Sequence, residues 1–420
     1  MVPPGTRQRA NWSTGLSGDR LNILIVSGTF HPDSGGPPTY LRTLGRELVE
    51  RGHAVRVVTY GDEPSTRRYP YPVHRIPRGR SVPARLGLFA REIWRLGRAA
   101  DVLYVNDYGV PATVANLALR KPSVIKIVGD FAWEYSVRHG LIPPDEPFER
   151  FQATRYGPRV EALRLMQATY VRAADRVVVP SSFVRWYVEG WGADPSRVRV
   201  VHNAVADPTA GLSEDRAATR SALGIGPDDR VVLVVARLAA WKGVDTVIGA
   251  LAELRRAGRS DARLVVVGDG PDRARLAALA SGLPPGAVRF TGELPRAEVG
   301  RWMQAADLLA LCSGYEGLSH VLLEALAAGL PVVASDVGGN RALVRHQHDG
   351  LLVPYGDVGA TARALASLLS DGELAAAIRA HARQGAAERT VTRMVDRTVA
   401  VFREAIAARR GEGSAAGSSS

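Results

Sequence analysis

The stretch GYEGLSHVLLEALAAGLPVVASDVGG, residues 314–339, reads as a loop, a helix and a strand in succession. Glu316-Gly317, Ser319 and His320 deliver the chain into a helix that starts near His320. Gly329 suits the left-handed turn after a last helical residue, and Pro331 follows it. Val332–Ser335 then reads as a buried strand. The helix is apolar almost all round through Leu322, Leu323, Ala325, Leu326, Ala327 and Ala328, the mark of burial, yet it carries Glu324. A carboxylate there costs on the order of several kcal/mol unless donors or hydroxyls meet it. Either an Arg nearby pairs with it, or a ligand's hydroxyl groups do. Gly317, Leu318 and Ser319 would place backbone N–H groups at the positive end of the helix, where an anion is favoured.

Working outward, Leu21–Ser27 (LNILIVS) is a continuous apolar run fit for a central parallel strand. It leads through GTFHPDSGGPPTYL into a helix reaching about Arg51. This is a strand, glycine loop and helix without the G-x-G-x-x-G spacing of a dinucleotide fingerprint. Gly35 and Gly36 are suited either to a tight turn or to close approach of a ligand at the strand's C-terminal end. Strand-like runs at Val55–Tyr60, Val73–Ile76, Val102–Asn106, Val124–Val128, Arg176–Val179 and Arg197–His202 alternate with helical patterns, as in a doubly wound α/β domain. A second alternation begins at Val231. The two halves define an N-terminal domain over 21–205 and a C-terminal domain over 206–388, with the linker just after Asn203. A last helix spans 389–409, between a disordered N-terminus (1–20) and a flexible tail (410–420).

Several polar residues sit at strand ends. Arg237 closes the run 231–236, and Lys242 follows after a short loop. Two cations beside a helix N-terminus suit a diphosphate, and both could equally face solvent. Asp269 in Gly268-Asp269-Gly270 and Leu294 in Thr291-Gly292-Glu293-Leu294 end two strands on the same rim, where Asp269 could simply be a turn former. Asp130, after Val128-Gly129, is either a helix N-cap or a cleft residue.

Together, Glu316 and Glu324 (E-x7-E) and the following A-x-G-x-P-V-V-A-S run resemble the retaining nucleotide-sugar glycosyltransferases of family 4, over about Leu21–Phe402. That resemblance implies the GT-B architecture: two Rossmann-like α/β domains facing across a cleft, with the last helix crossing back onto the N-terminal domain. It also implies a sugar moved from a nucleoside diphosphate sugar to an acceptor hydroxyl, as in cell-surface polysaccharide or glycolipid synthesis; the alternative is a nucleotide- or glycan-binding protein of the same fold without transferase activity. By resemblance, Arg237 and Lys242 hold the donor diphosphate, Glu324 the ribose and Glu316 the transferred sugar. Gly35 and Gly36 would flank the phosphates, and Asp269 and Leu294 would lie at the base pocket. Many relatives carry a histidine near Asp130, which makes Asp130 a candidate for the sugar's neighbourhood. Ala342 stands where a Glu usually follows Gly338-Gly339.

The chain has 420 residues, of which 46% are hydrophobic and 23% charged, enough for two soluble domains. Its one cysteine, Cys312, excludes an intrachain disulfide and reads as a small core residue. No D-x-D occurs, so no metal is expected; no cofactor is expected either, since nothing suggests a pyridoxal phosphate site. No apolar run reaches a membrane span, and a cytoplasmic location is expected. The net charge of +12 falls almost wholly on residues 1–205, and no nucleic-acid motif accompanies it. Residues 51–100 hold 11 Lys+Arg against 3 Asp+Glu. There a helix sets Leu86, Phe89, Ile93 and Leu96 on one face and Arg91, Arg95 and Arg98 on another. The stripe fits core packing. With Arg67, Arg68, Arg75, Arg78 and Arg80 the region also suits reversible contact with an anionic membrane carrying a lipid-linked acceptor.

Overall fold

The computed structural model describes residues 20–417 apart from 34, 63–68, 107–108, 144–145 and 213–214. Two all-parallel sheets organise it. The first has seven strands: β1 (Asn22–Ser27), β2 (Ala54–Tyr60), β3 (Val73–Ile76), β4 (Val102–Asn106), β5 (Ser123–Lys126), β6 (Arg176–Val179) and β7 (Val198–Val200), in the order β3-β2-β1-β4-β5-β6-β7. Residues of β1 and β4 are buried along their whole length because helices cover both faces of the sheet, which is why they read as unbroken apolar runs. In register, Ile25 of β1 lies between Val57 of β2 and Tyr104 of β4.

The second sheet has six strands: β8 (Arg230–Val235), β9 (Ala262–Val267), β10 (Val288–Gly292), β11 (Leu308–Leu311), β12 (Val332–Ser335) and β13 (Leu351–Val353), in the order β10-β9-β8-β11-β12-β13. In each sheet the order reverses beside the first strand, at β1/β4 and β8/β11. Ligands of open α/β sheets bind in the crevice outside such switch points.

The last helix, Val391–Gly417, returns to the N-terminal domain. Met394, Val395, Val399, Phe402 and Ala405 join the core built by Ile23, Ile25 and Tyr104, and Phe402 meets Tyr104 edge to face at 5.2 Å. Glu404 accepts from Arg176 and Arg199, and Arg409 pairs with Asp175 at 2.7 Å. This GT-B arrangement matches the fold expected from the sequence. The last helix runs on to Gly417, into the stretch 410–420 for which a flexible tail is expected. Residues 1–19 of the expected disordered N-terminus lie outside the described residues, as do Arg67 and Arg68.

Cys312 is buried beside Thr361, and burial pushes its thiol up to about 12, which suits a core residue rather than a nucleophile. Among the described residues no helix is long and apolar enough to cross a membrane.

Candidate active site

The helix His320–Ala327 begins where β11 delivers its loop to the cleft. Ser319 caps it, its hydroxyl accepting from the Leu322 amide at 3.2 Å, and Gly329 takes a φ of 66° just past its end. Among the described residues, the amides of Leu318, Ser319, His320 and Val321 donate to no protein acceptor outside regular helix bonding. They are the unsatisfied donors that make a helix N-terminus attractive to an anion. A second helix, Gly36–Glu50, starts from Gly35 on the opposite wall. Between them lies a cavity of about 920 Å³ lined by Gly35, Gly36, Leu294, Arg296, His320 and Glu324, with His31, Arg42 and Tyr69 on the N-terminal side.

Close packing explains two of the glycines here. A β-carbon on Gly36 would stand 2.6 Å from Cδ2 of His320, and one on Gly317 would collide with the Val128 carbonyl oxygen. Both contacts cross the domain boundary, so these positions need the absent side chain for the domains to meet. Ser181 adds a hydrogen bond to the Gly317 carbonyl at 3.0 Å. Tyr315 is the anchor of the closed arrangement. Its ring stacks on Phe148 at 4.4 Å and leans on Trp133 at 4.8 Å, and its oxygen accepts from the Asp130 amide at 2.9 Å. A C-terminal-domain residue is thereby part of the N-terminal core.

Glu324 is nearly buried and pairs with Arg296 at 2.9 Å. Burial pushes its carboxyl up, and the Arg296 guanidinium pulls it back. Of the two possibilities read from the sequence, the arginine pair is the one displayed, and the paired carboxylate also lines the cavity. Lys242 and Glu316 form a second pair at 2.6 Å, both largely shielded from solvent. Arg237 is exposed at the end of β8 and makes no ion pair among the described residues. Neither Lys242, Glu316 nor Arg237 lines the large cavity.

Glu134, which carries no signal in the sequence, faces this second pair. Its carboxylate lies against Gly129, where an added β-carbon would be 2.9 Å from Oε1. Burial pushes Glu134 up; the Lys242 and Arg138 charges oppose that, while Asp130 and Glu316 reinforce it. The N-terminal domain thus contributes a carboxylate near Lys242 and Glu316, on the helix Phe131–Arg138.

Asp130 is the N-cap of that helix. Its Oδ1 accepts from the Trp133 amide at 3.0 Å and from Gln167 at 3.2 Å, and its Oδ2 accepts from Gln152 at 2.7 Å. Of its two readings the cap is the one displayed, with both oxygens engaged by protein donors. Burial nonetheless pushes its carboxyl up. Asp269 is exposed, accepts from the Gly270 amide at 2.7 Å and stands 3.8 Å from Arg273, as a turn former does. Leu318 is buried. Among the described residues, no group of three or more His, Cys, Asp or Glu is placed to hold a metal ion.

The basic helix Val82–Gly97 turns Phe89, Ile93 and Leu96 into the core. Arg95 pairs with Glu92 at 2.5 Å, and Arg78 with Asp33 at 2.5 Å. Arg75 donates to the His31 carbonyl. The core explanation holds for these three residues of the stripe, while Leu86 is half-buried, and part of the positive charge is locally neutralised.

Comparison with known proteins places these features in context. Residues 34–207 match the family described as Glycosyltransferase Family 4, and residues 215–385 match Glycosyl transferases group 1. The D-inositol 3-phosphate glycosyltransferase 1 of Catenulispora acidiphila is 30% identical over 402 residues, covering 90% of this chain and 93% of the relative. The D-inositol 3-phosphate glycosyltransferase of Acidothermus cellulolyticus is 32% identical over 408 residues, covering 90% and 87%. Among solved structures, Anabaena HepE in complex with UDP and glucose has a TM-score of 0.73 at 21% identity, covering 90% of this chain and 98% of that one. Sucrose-phosphate synthase from Thermosynechococcus elongatus has a TM-score of 0.75 at 22% identity, covering 92% and 100%.

Proposed function

Because this chain belongs to the nucleotide-sugar glycosyltransferases of family 4, we propose that it moves a hexose, with retention of anomeric configuration, to a hydroxyl of a small phosphorylated polyol. The observation that carries the reading is the cavity walled by two helix N-termini, with Arg42 and Arg296 on opposite sides. Such a site favours anions at both ends. The names of the relatives, which span nearly the whole chain, supply the acceptor class.

In this mechanism the departing diphosphate is stabilised by Arg237, Lys242 and the free amides of Leu318 to Val321. The acceptor attacks from the face the diphosphate leaves, and a phosphate oxygen takes the acceptor's proton. Glu316 holds a hydroxyl of the transferred sugar, and its pairing with Lys242 fixes both groups in place. Glu324 accepts from the ribose hydroxyls, while Leu294 and the backbone at Asp269 border the base. No metal takes part. Closure, with Tyr315 seated among the N-terminal aromatics, excludes water that would otherwise hydrolyse the donor.

UDP-, GDP- and ADP-hexoses should be supplied in turn with D-inositol 3-phosphate, and the first-formed product read by mass spectrometry and proton NMR. A disaccharide-like product with the donor's configuration is expected. An inverted product would sink the retaining mechanism. Donor binding with no turnover on any phosphorylated polyol would leave a nucleotide-binding protein.

Membrane contact belongs to this reading through one observation: Val82 and Trp94 are exposed on the helix that bears Arg91 and Arg98. Sedimentation with anionic vesicles should fall with salt and with Arg91→Ala/Arg98→Ala. Equal recovery with neutral vesicles would remove the membrane from it and leave a cytoplasmic enzyme with a soluble acceptor.

A further inference from the structure

Lys126, Asn203 and His320 form a chain of hydrogen bonds that crosses between the domains. Lys126 ends β5, is fully buried, and lies 3.6 Å from the centre of the Tyr40 ring. Its Nζ donates to Oδ1 of Asn203 at 2.5 Å. Asn203, buried just past β7, brings Nδ2 to 3.0 Å from Nε2 of His320. His320 is the first residue of the helix His320–Ala327, in the other domain.

The chemistry of the three groups sets the direction of every proton. An ammonium has donors only, so the Asn203 carbonyl must face Lys126 and its NH2 group must face His320. Nε2 of His320 therefore accepts. Burial, with the Lys126 and Arg296 charges behind it, pushes the imidazole down to about 3, which keeps the ring neutral. A neutral ring that accepts at Nε2 carries its proton on Nδ1. That Nδ1 is shielded from solvent and has no protein partner among the described residues. A shielded donor without an acceptor is costly, and it invites explanation by a ligand.

The ring also lines the large cavity. Its Cδ2 edge abuts Gly36, so Nδ1 lies on the opposite edge, at a helix start whose first amides lack protein acceptors. Helix dipole, Arg296 and Lys126 all make this an anion's position.

We propose that His320 is a tautomer-locked hydrogen-bond donor to the diphosphate of the sugar nucleotide, with Asn203 and Lys126 as the positioning residues that set the tautomer. This rests on the nucleotide-sugar reading above. Since Asn203 sits on the N-terminal domain and His320 on the C-terminal domain, the lock is made only when the domains are closed. The tautomer is thus set in the state that carries out transfer. Gly36 has a matching part, because any side chain there would displace the ring.

The full chain, labelled with ¹⁵N-histidine, should show His320 protonated at Nδ1 and bare at Nε2 at neutral pH. The Nδ1 proton should move on adding UDP, GDP or ADP, whichever binds, and stay put with the matching nucleoside. His320→Phe should weaken binding of that nucleoside diphosphate about 10-fold and leave nucleoside binding unchanged. Asn203→Ser should cost less, and its effect should vanish in the His320→Phe background, as for two residues acting through one bond. A ring protonated at Nε2, or a folded His320→Phe protein that binds the nucleoside diphosphate as wild type does, overturns the proposal while the function stands. A wild-type chain that binds no nucleoside diphosphate overturns both. Should Asn203→Ser fail to fold, the wild-type spectrum and His320→Phe still decide.

Discussion

Gly317 of the C-terminal domain packs so tightly on Val128 of the N-terminal domain that no β-carbon fits between them. The obstacle is a backbone carbonyl, which cannot swing aside as a side chain would. Gly317→Ala should therefore hold the domains apart without unfolding either. We expect kcat to fall about 100-fold, because a displacement of roughly 1 Å suffices for that. Circular dichroism should be unchanged. Normal turnover in Gly317→Ala would mean that transfer does not need this closed contact.

Lys242 and Glu316 form a shielded pair at 2.6 Å. Lys242→Ala should lower transfer about 100-fold through loss of charge at the leaving diphosphate. It should also lower the melting temperature, since it strands a shielded carboxylate. Adding Glu316→Gln should restore the melting temperature and leave activity low. If the double variant regained activity, the lysine's role would be structural.

Glu324 lies beside both Arg296 and the cavity. Glu324→Gln keeps the shape but weakens acceptance of hydroxyl protons. Affinity for the ribonucleotide donor should drop about 10-fold, with little change for its 2′,3′-dideoxy analogue. Equal losses with both would show that Glu324 serves Arg296 and not the ribose.

His320 links pH to stability with a definite sign. Its folded pKa is down at about 3, against an unfolded value near 6.5. Between these values the unfolded chain binds the extra proton, so this group's contribution is present above about pH 6.5 and is lost as pH falls toward 3. Chemical denaturation of His320→Phe between pH 4.5 and roughly 7 should show a shallower rise of stability with pH than wild type. Parallel curves would mean the ring is not held neutral.

Much of this was legible along the chain because its causes are local. Leu21–Ser27 reads as a strand since both its faces are buried, and Val73–Ile76, Val102–Asn106, Arg176–Val179 and Val332–Ser335 match the observed strands end for end. Ser319 and Gly329 mark the ends of a helix by short-range capping chemistry, and Glu324 stands out as one charge in an apolar helix. Only the tertiary structure could decide which partner each polar group meets. Asp130 could cap or face the cleft until Gln152 and Gln167 were seen to occupy its oxygens. Glu134 has no pattern of its own; it matters because closure brings it toward Lys242 and Glu316. The bond between Asn203 and His320 joins residues 117 apart in different domains. Periodicity and capping act over a turn or two of chain, whereas a contact made by closing two domains depends on their relative placement and leaves no local mark on the sequence.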